Sequence, residues 1–319
     1  MLTRLAPSPT GALHLGNART FLINWLLARQ NNWKIILRIE DLDGPRIKPE
    51  SAIEAIEDLH WLGIDWDIGP IYQSSRQDQY SIAINQLISN NQAYPCICSR
   101  KEIERAASAP HAEDGASIYP GTCRDQFAST TEAETESGKA PAIRFRIPPD
   151  SIVSWEDQFQ GPQLSHANEE LGDFTIAKSD GTAAYQLSVV VDDAAMNITH
   201  VVRGDDLLDS TPRQILLYRA LGLETHIPKF YHLPLIKGPD GRRLAKRHGD
   251  TRLCYYRRKN VSAGKLLSLL GKWSGIPFSS IDPAEKISCA TDLLPAFNLA
   301  NLPKSPIVFS DADDRFLLE

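Results

Sequence analysis

Short apolar runs alternate with helix-period stretches through the first 95 residues, and this alternation limits the available folds more than any other feature. Residues 2–6 read as a strand, a Pro/Gly-rich loop follows, and residues 15–30 carry helical spacing. Residues 33–39 form a second apolar strand. Ile53, Ile56, Leu59 and Leu62 then recur at helical intervals, with Gly63 placed to cap the helix end, and residues 79–89 repeat the pattern. Strand–helix–strand order of this kind predicts a parallel, doubly wound α/β sheet. The pattern returns over 173–235, with apolar runs at 174–177, 184–191 and 198–202. Thr211-Pro212 then signals the start of a helix over 214–221.

Residues 96–172 change character. They hold Cys96, Cys98 and Cys123, a Thr/Glu/Ser-rich stretch at 129–139 that reads as a mobile loop, and strand-like runs at 142–147 and 152–159. This segment reads as an insertion into a Rossmann-like core formed by 1–95 and 173–235. Residues 236–319 add a basic loop and helices near 263–273 and 291–298, a short helical C-terminal part. The 319 residues are 42% hydrophobic and 23% charged, values of an ordinary globular chain. No apolar run is long enough to cross a bilayer and the N-terminus has no signal-peptide core, so a cytoplasmic protein without membrane contact is expected. The net charge of −6 gives no global pull toward nucleic acid. Any RNA contact then falls to a local patch: Arg242, Arg243, Lys246 and Arg247, or the run Arg257, Arg258 and Lys259, which reads equally well as a solvated helix face.

Two segments carry nucleotide chemistry. In the first, Ala6-Pro7-Ser8-Pro9-Thr10-Gly11-Ala12-Leu13-His14-Leu15-Gly16-Asn17 links a strand to a helix. Free N–H groups and the positive dipole end favour phosphate at such a helix start, and glycine lets the backbone approach it. His14 can donate to a phosphate oxygen that gains charge in a transition state. The same residues in isolation would also make a plain Pro/Gly turn with a capping histidine. In the second, glycines bracket Arg242, Arg243, Lys246 and Arg247, which suits a loop closing over polyphosphate with lysine as a point charge; alone, the segment reads more readily as a solvated basic turn.

The five cysteines (Cys96, Cys98, Cys123, Cys254 and Cys289) are odd in number and unevenly spaced, which argues against a disulfide framework. Three fall within one short stretch, as metal ligands do, with the fourth ligand left open.

Taken together, His14 to Asn17 and Arg243-Leu244-Ala245-Lys246-Arg247 resemble the two signatures of class I aminoacyl-tRNA synthetases. The resemblance is closest to the glutamyl branch over roughly residues 1–250. It rests on Arg4-Leu5-Ala6-Pro7-Ser8-Pro9-Thr10-Gly11, Arg38-Ile39-Glu40-Asp41-Leu42-Asp43, Tyr185 to Asp193, Val202 to Leu207, and Tyr231-His232-Leu233-Pro234-Leu235. Asn17 stands where the superfamily often has histidine, and Ala245 stands where it has serine; the first histidine and the lysine remain.

The resemblance implies His14 and Lys246 as catalytic residues, and His14, Gly16, Asn17, Arg243 and Lys246 as ATP ligands. It implies glutamate binding by Arg4, Leu5, Ala6, Pro7, Ser8, Glu40, Tyr185 and Arg203. Arginines would take carboxylate oxygens and Glu40 the ammonium, as the substrate's charges require. It implies a structural zinc, one per chain, on Cys96, Cys98, Tyr119 and Cys123, with His111 as the conventional rival of Tyr119, and Mg2+ arriving with ATP. About 70 residues follow Gly249, too few for the branch's anticodon-reading region. Truncated members of the branch join glutamate to the queuosine base of tRNA(Asp), activating it without tRNA, and that is the expected reaction of a monomer. A truncated synthetase that charges a tRNA 3′ end, or an inert RNA- or nucleotide-binding paralogue, would share many of these residues.

Overall fold

The computed structural model describes residues 1–42, 44–99, 101–103, 118–242, 244, 250–277 and 287–319. Arg243, Lys246 and His111 therefore lie outside the described residues. The chain opens with β1 (Leu2–Leu5), α1 (Leu15–Gln30), β2 (Lys34–Ile39), α2 (Pro49–Trp61), β3 (Ile68–Tyr72) and α3 (Gln77–Ser89). It continues through β4 (Ala93–Cys96), α4 (Thr130–Ser137), β5 (Ala142–Phe145), β6 (Ile152–Asp157), β7 (Gly161–His166) and the single turn α5 (Ala167–Glu170). Then come β8 (Phe174–Ala177), α6 (Tyr185–Ala195), β9 (His200–Gly204), α7 (Ser210–Ala220), β10 (Lys229–Leu233) and β11 (Ile236–Lys237). Helices α8 (Leu253–Arg258) and α9 (Ala263–Trp273), the short β12 (Ile307–Val308) and α10 (Asp311–Leu318) complete the described elements.

The wound sheet is parallel, as the strand–helix alternation predicts. β1, β2 and β3 pair in parallel in that order, and β9, β10 and β6 form a second parallel set. The two sets meet at β1 and β9, where the Thr199 N–H donates to the Leu2 carbonyl at 2.9 Å. Strands covered on both faces are apolar on both faces. Ile35, Leu37 and Ile39 of β2 enter one core with α1 and the C-terminal helices, while Ile36 enters a second core with α3, α6 and α7. The side-chain period of two also separates neighbours on β1: Leu5 lies in the first core, and Arg4, paired with Ile36, takes the other face.

Several elements differ from the sequence expectation. Residues 130–137 form helix α4, not a mobile loop: Ser129 Oγ accepts the Glu132 N–H at 3.0 Å, and Gly138 ends the helix at φ 68°. The run 184–191, whose Val-rich composition fits strand or helix, is helical because it is buried between α3 and α7. The expected helix at 291–298 is a 3₁₀ segment, Ala290–Ala296, in which Pro295 removes a backbone donor. The segment 96–172 is not wholly separate from the core, since Asp157 at the end of β6 pairs with Phe230 of β10. Within it β7 pairs antiparallel with β6, and β5 pairs antiparallel with β4 and β8, which flank the segment; the cysteine cluster packs beside that second sheet.

The Arg257–Lys259 run is no open basic patch. Arg257 pairs with Glu57 at 2.9 Å and Arg258 with Glu54 at 2.8 Å, tying α8 to α2. Among the described residues no helix is long and apolar enough to cross a membrane.

Candidate active site

A cavity of about 670 Å³ opens where β1, β2, α1, α6 and β9 converge. It brings together Arg4, Ala6, Pro7, Ser8, His14, Gly16, Asn17, Glu40, Tyr185 and Arg203. Leu5 does not line it; its side chain is in the core on the opposite face of β1.

His14 caps α1. Its Nδ1 accepts the N–H groups of Gly16 and Asn17 at 3.1 and 3.4 Å, and Asn17 Oδ1 accepts the His14 N–H at 3.2 Å. The ring that caps the helix also lines the cavity. Because Nδ1 is an acceptor, a neutral imidazole must carry its proton on Nε2, which is the donor a phosphate oxygen needs. Gly16 is fixed by the same contact: a Cβ there would stand 2.9 Å from His14 Cε1.

At the other end of the cavity, charge is held in a buried network. Arg38, fully buried, donates to Asp193 at 2.5 Å and to Glu40 at 3.0 Å. Burial works against the Arg38 charge, but Asp193, Glu40 and Asp192 overcome it and raise the pKa. Asp192 also receives Gln73, Arg76 and Tyr80, at 2.7, 2.6 and 2.8 Å. Burial raises Glu40, with Arg38 and Arg4 pulling the other way. Arg4 Nε faces Asp193 Oδ1 at 3.6 Å, an ion pair longer than a hydrogen bond, and Nη1 donates to the Val202 carbonyl at 3.4 Å. Arg4 also lines the cavity, and a guanidinium with further N–H groups beside such a space favours an anion there.

Arg203 is held by three acceptors: His232 Nε2, Gln214 Oε1 and Thr211 Oγ1, each at 2.9 Å. A guanidinium has five N–H groups, so two lie beyond these acceptors, beside the Tyr185 hydroxyl, which also interacts with Arg203 and lines the cavity with it. The cavity can therefore hold two carboxylates and an ammonium at one end and phosphate at the helix start.

Sequence reasoning assigned no role to Asp206 and Leu207, which also line the cavity, or to Arg38, Asp192 and Asp193, which hold Glu40 and Arg4. An arginine inside an otherwise apolar strand was the available signal for Arg38, since such a residue is rarely buried without partners. For Asp206 the signal was the glycine two residues before it: a Cβ on Gly204 would stand 2.6 Å from Asp206 Oδ1.

Away from the cavity, Cys96, Cys98 and Cys123 place their sulfurs within 4.8 Å of one another and can hold a metal ion. Tyr119 Oη stands 3.4 Å from Cys96 Sγ and 3.6 Å from Cys98 Sγ, and accepts the Cys123 N–H at 2.8 Å. The Arg144 guanidinium stacks 3.9 Å over the Tyr119 ring and donates to Cys96 Sγ at 3.2 Å. Burial raises both the Cys98 thiol and the Tyr119 phenol, and a dication at their centre would supply the charge that ionised ligands need.

A parallel α/β sheet thus sets the start of α1 beside an arginine-lined pocket, the arrangement of a class I synthetase catalytic domain. Residues 1–311 match the family described as tRNA synthetases class I (E and Q), catalytic domain, and the chain belongs to that family; it is a ligase. It is 46% identical over 313 residues to the glutamyl-Q tRNA(Asp) synthetase of Symbiobacterium thermophilum, covering 95% of this chain and 94% of that one. It is 43% identical over 312 residues to the glutamate–tRNA ligase of Aquifex aeolicus, covering 97% of this chain and 64% of that one. The structure of a glutamate tRNA ligase from Elizabethkingia meningosepticum, in complex with its amino acid, is similar with a TM-score of 0.81 at 29% identity, covering 99% of this chain and 68% of that one.

Proposed function

We propose that this chain activates L-glutamate with ATP and transfers the glutamyl group to the queuosine base in the anticodon loop of tRNA(Asp), with activation independent of tRNA. The observation that carries the first half is the single cavity holding the His14–Asn17 helix start together with Arg4, Arg203 and Glu40. The second half is supported by the near full-length match to the Symbiobacterium relative.

In activation, a glutamate α-carboxylate oxygen bonds to the α-phosphorus of ATP, and the bond to the bridging oxygen of pyrophosphate breaks. Arg4 and Arg203 hold substrate carboxylate, Ser8 and Tyr185 donate hydrogen bonds to the substrate, and Glu40 receives the ammonium. His14 Nε2–H stabilises charge on the phosphate, with Gly16 and Asn17 beside it; Arg243 and Lys246 meet the triphosphate, which Mg2+ accompanies. In transfer, a queuosine ring hydroxyl attacks the anhydride carbonyl and AMP leaves. No protein nucleophile is required, because positioning and electrostatics lower the barrier.

Mass spectrometry of digested tRNA after reaction with labelled glutamate tests this reading. Label on the queuosine nucleotide of tRNA(Asp) is expected. Label on a 3′-terminal adenosine would favour the synthetase that charges tRNA ends, and no glutamate-dependent ATP–pyrophosphate exchange would favour an inert paralogue.

We also propose that the metal is a structural zinc held by Cys96, Cys98, Cys123 and Tyr119. Elemental analysis is expected to find about one zinc per chain, and Cys98→Ser to lose most of it and to lower the unfolding temperature. Full zinc content in Tyr119→Phe would remove Tyr119 from the ligand set.

A further inference from the structure

Asp157, His232 and Arg203 form a buried line that ends at the cavity. His232 is completely enclosed and Asp157 is 1% exposed. His232 Nδ1 lies 2.6 Å from Asp157 Oδ2, and Arg203 Nε donates to His232 Nε2 at 2.9 Å. The Thr211 hydroxyl lies 3.2 Å from the same Nε2. Asp157 Oδ1 is already committed, accepting the N–H groups of Phe159, Gln160 and His232 at 3.0, 2.8 and 3.2 Å. Only Oδ2 is left for the ring. A carboxylate can only accept there, so the proton sits on Nδ1 and Nε2 offers its lone pair to Arg203.

We propose that His232 is a positioning residue for substrate glutamate, and that Asp157 sets its tautomer so that Arg203 is aimed into the cavity. This rests on the reading of Arg203 as a carboxylate ligand. Burial lowers the His232 pKa, with Asp157 pulling the other way, and this favours the neutral ring that the arrangement needs: a second ring proton would face the guanidinium. Of the three acceptors on Arg203, Thr211 and Gln214 both belong to α7, and His232 alone fixes the guanidinium from β10.

The geometry separates two near-isosteric changes. Glutamine at 232 can place its carbonyl oxygen where Nε2 stands, keeping the acceptor. Asparagine at 157 must keep its oxygen on the three backbone N–H groups, so its NH₂ faces Nδ1. That forces the ring proton onto Nε2, against the Arg203 N–H.

Glutamate-dependent ATP–pyrophosphate exchange on the full chain reads the outcome. Asp157→Asn is expected to raise the KM for glutamate about tenfold or more, with a smaller change in kcat and in the KM for ATP. His232→Gln is expected to stay within about threefold of the parent. Adding Asp157→Asn to His232→Gln should then raise the glutamate KM no further, since the tautomer no longer matters. Equal damage by His232→Gln and Asp157→Asn, or an unchanged KM in Asp157→Asn, overturns the proposal. Unfolding midpoints of all variants identify any that fail to fold, and the pair Asp157→Asn and His232→Gln leaves a second route if one does. An unchanged glutamate KM in Arg203→Ala would instead overturn the assignment of Arg203, leaving the two failures distinct.

Discussion

The His14→Ala substitution is expected to slow glutamate-dependent ATP–pyrophosphate exchange by about 10²–10³-fold, the effect of removing one preorganised donor from a developing oxyanion. Two losses contribute. The cap on α1 disappears, since Gly16 and Asn17 lose the acceptor they share; a lost cap costs about 1 kcal/mol of stability. The Nε2 donor in the cavity disappears as well. His14→Asn separates them, because asparagine is a good N-cap but its short amide does not extend as far as Nε2. Stability near the parent with activation still slow is the expected result for His14→Asn, measured by thermal unfolding and single-turnover adenylate formation. Parental activation in that variant would reduce His14 to a cap.

The second large effect is expected at Arg38. It is fully enclosed, with Asp193, Glu40 and Asp192 at 2.5, 3.0 and 3.9 Å. Arg38→Leu would leave those carboxylates buried beside one another with too few cations. Breaking a buried ion pair from one side costs about 3–5 kcal/mol, so a clear fall in the denaturant midpoint is expected. Arg38→Lys preserves the charge but not the fork, because one ammonium cannot hold Asp193 and Glu40 as a planar guanidinium does. That variant should remain folded with a raised KM for glutamate, as Glu40 loses the contact that orients it. An unchanged midpoint in Arg38→Leu would contradict the role given to the network.

Much of the site was legible in the chain. The strand–loop–helix order around His14 and the resemblance to the glutamyl branch led to residues that, Leu5 excepted, share one cavity among the described residues, and the cysteine spacing led to sulfurs that do lie together. Less legible were groups whose partners are distant in sequence. Asp157, His232 and Arg203 are spread over three strands, and nothing local marks Asp157 as more than a strand-end acid. The Val-rich stretch 189–191 has the composition of a strand, and only its burial between two helices makes it helical. The α4 helix carried its own signals, Ser129-Thr130-Thr131-Glu132 and then Gly138, which the Thr/Glu/Ser-rich composition around them obscured.

The segment bearing the second signature is sewn into the molecule at both ends. On its near side β11 pairs with β12, Ile236 with Ile307 and Lys237 with Val308, so residues close to the C-terminus brace its entry. On its far side the Leu15 N–H donates to the Thr251 carbonyl at 3.0 Å and the Leu253 N–H to the Leu13 carbonyl at 2.8 Å. Those stitches flank His14 itself. The described residues that flank the lysine segment are therefore tied by two backbone seams, one to the loop that carries His14 and one to the tail. Deleting the residues from β12 onward is then expected to raise the KM for ATP in pyrophosphate exchange, although none of the deleted residues lines the cavity.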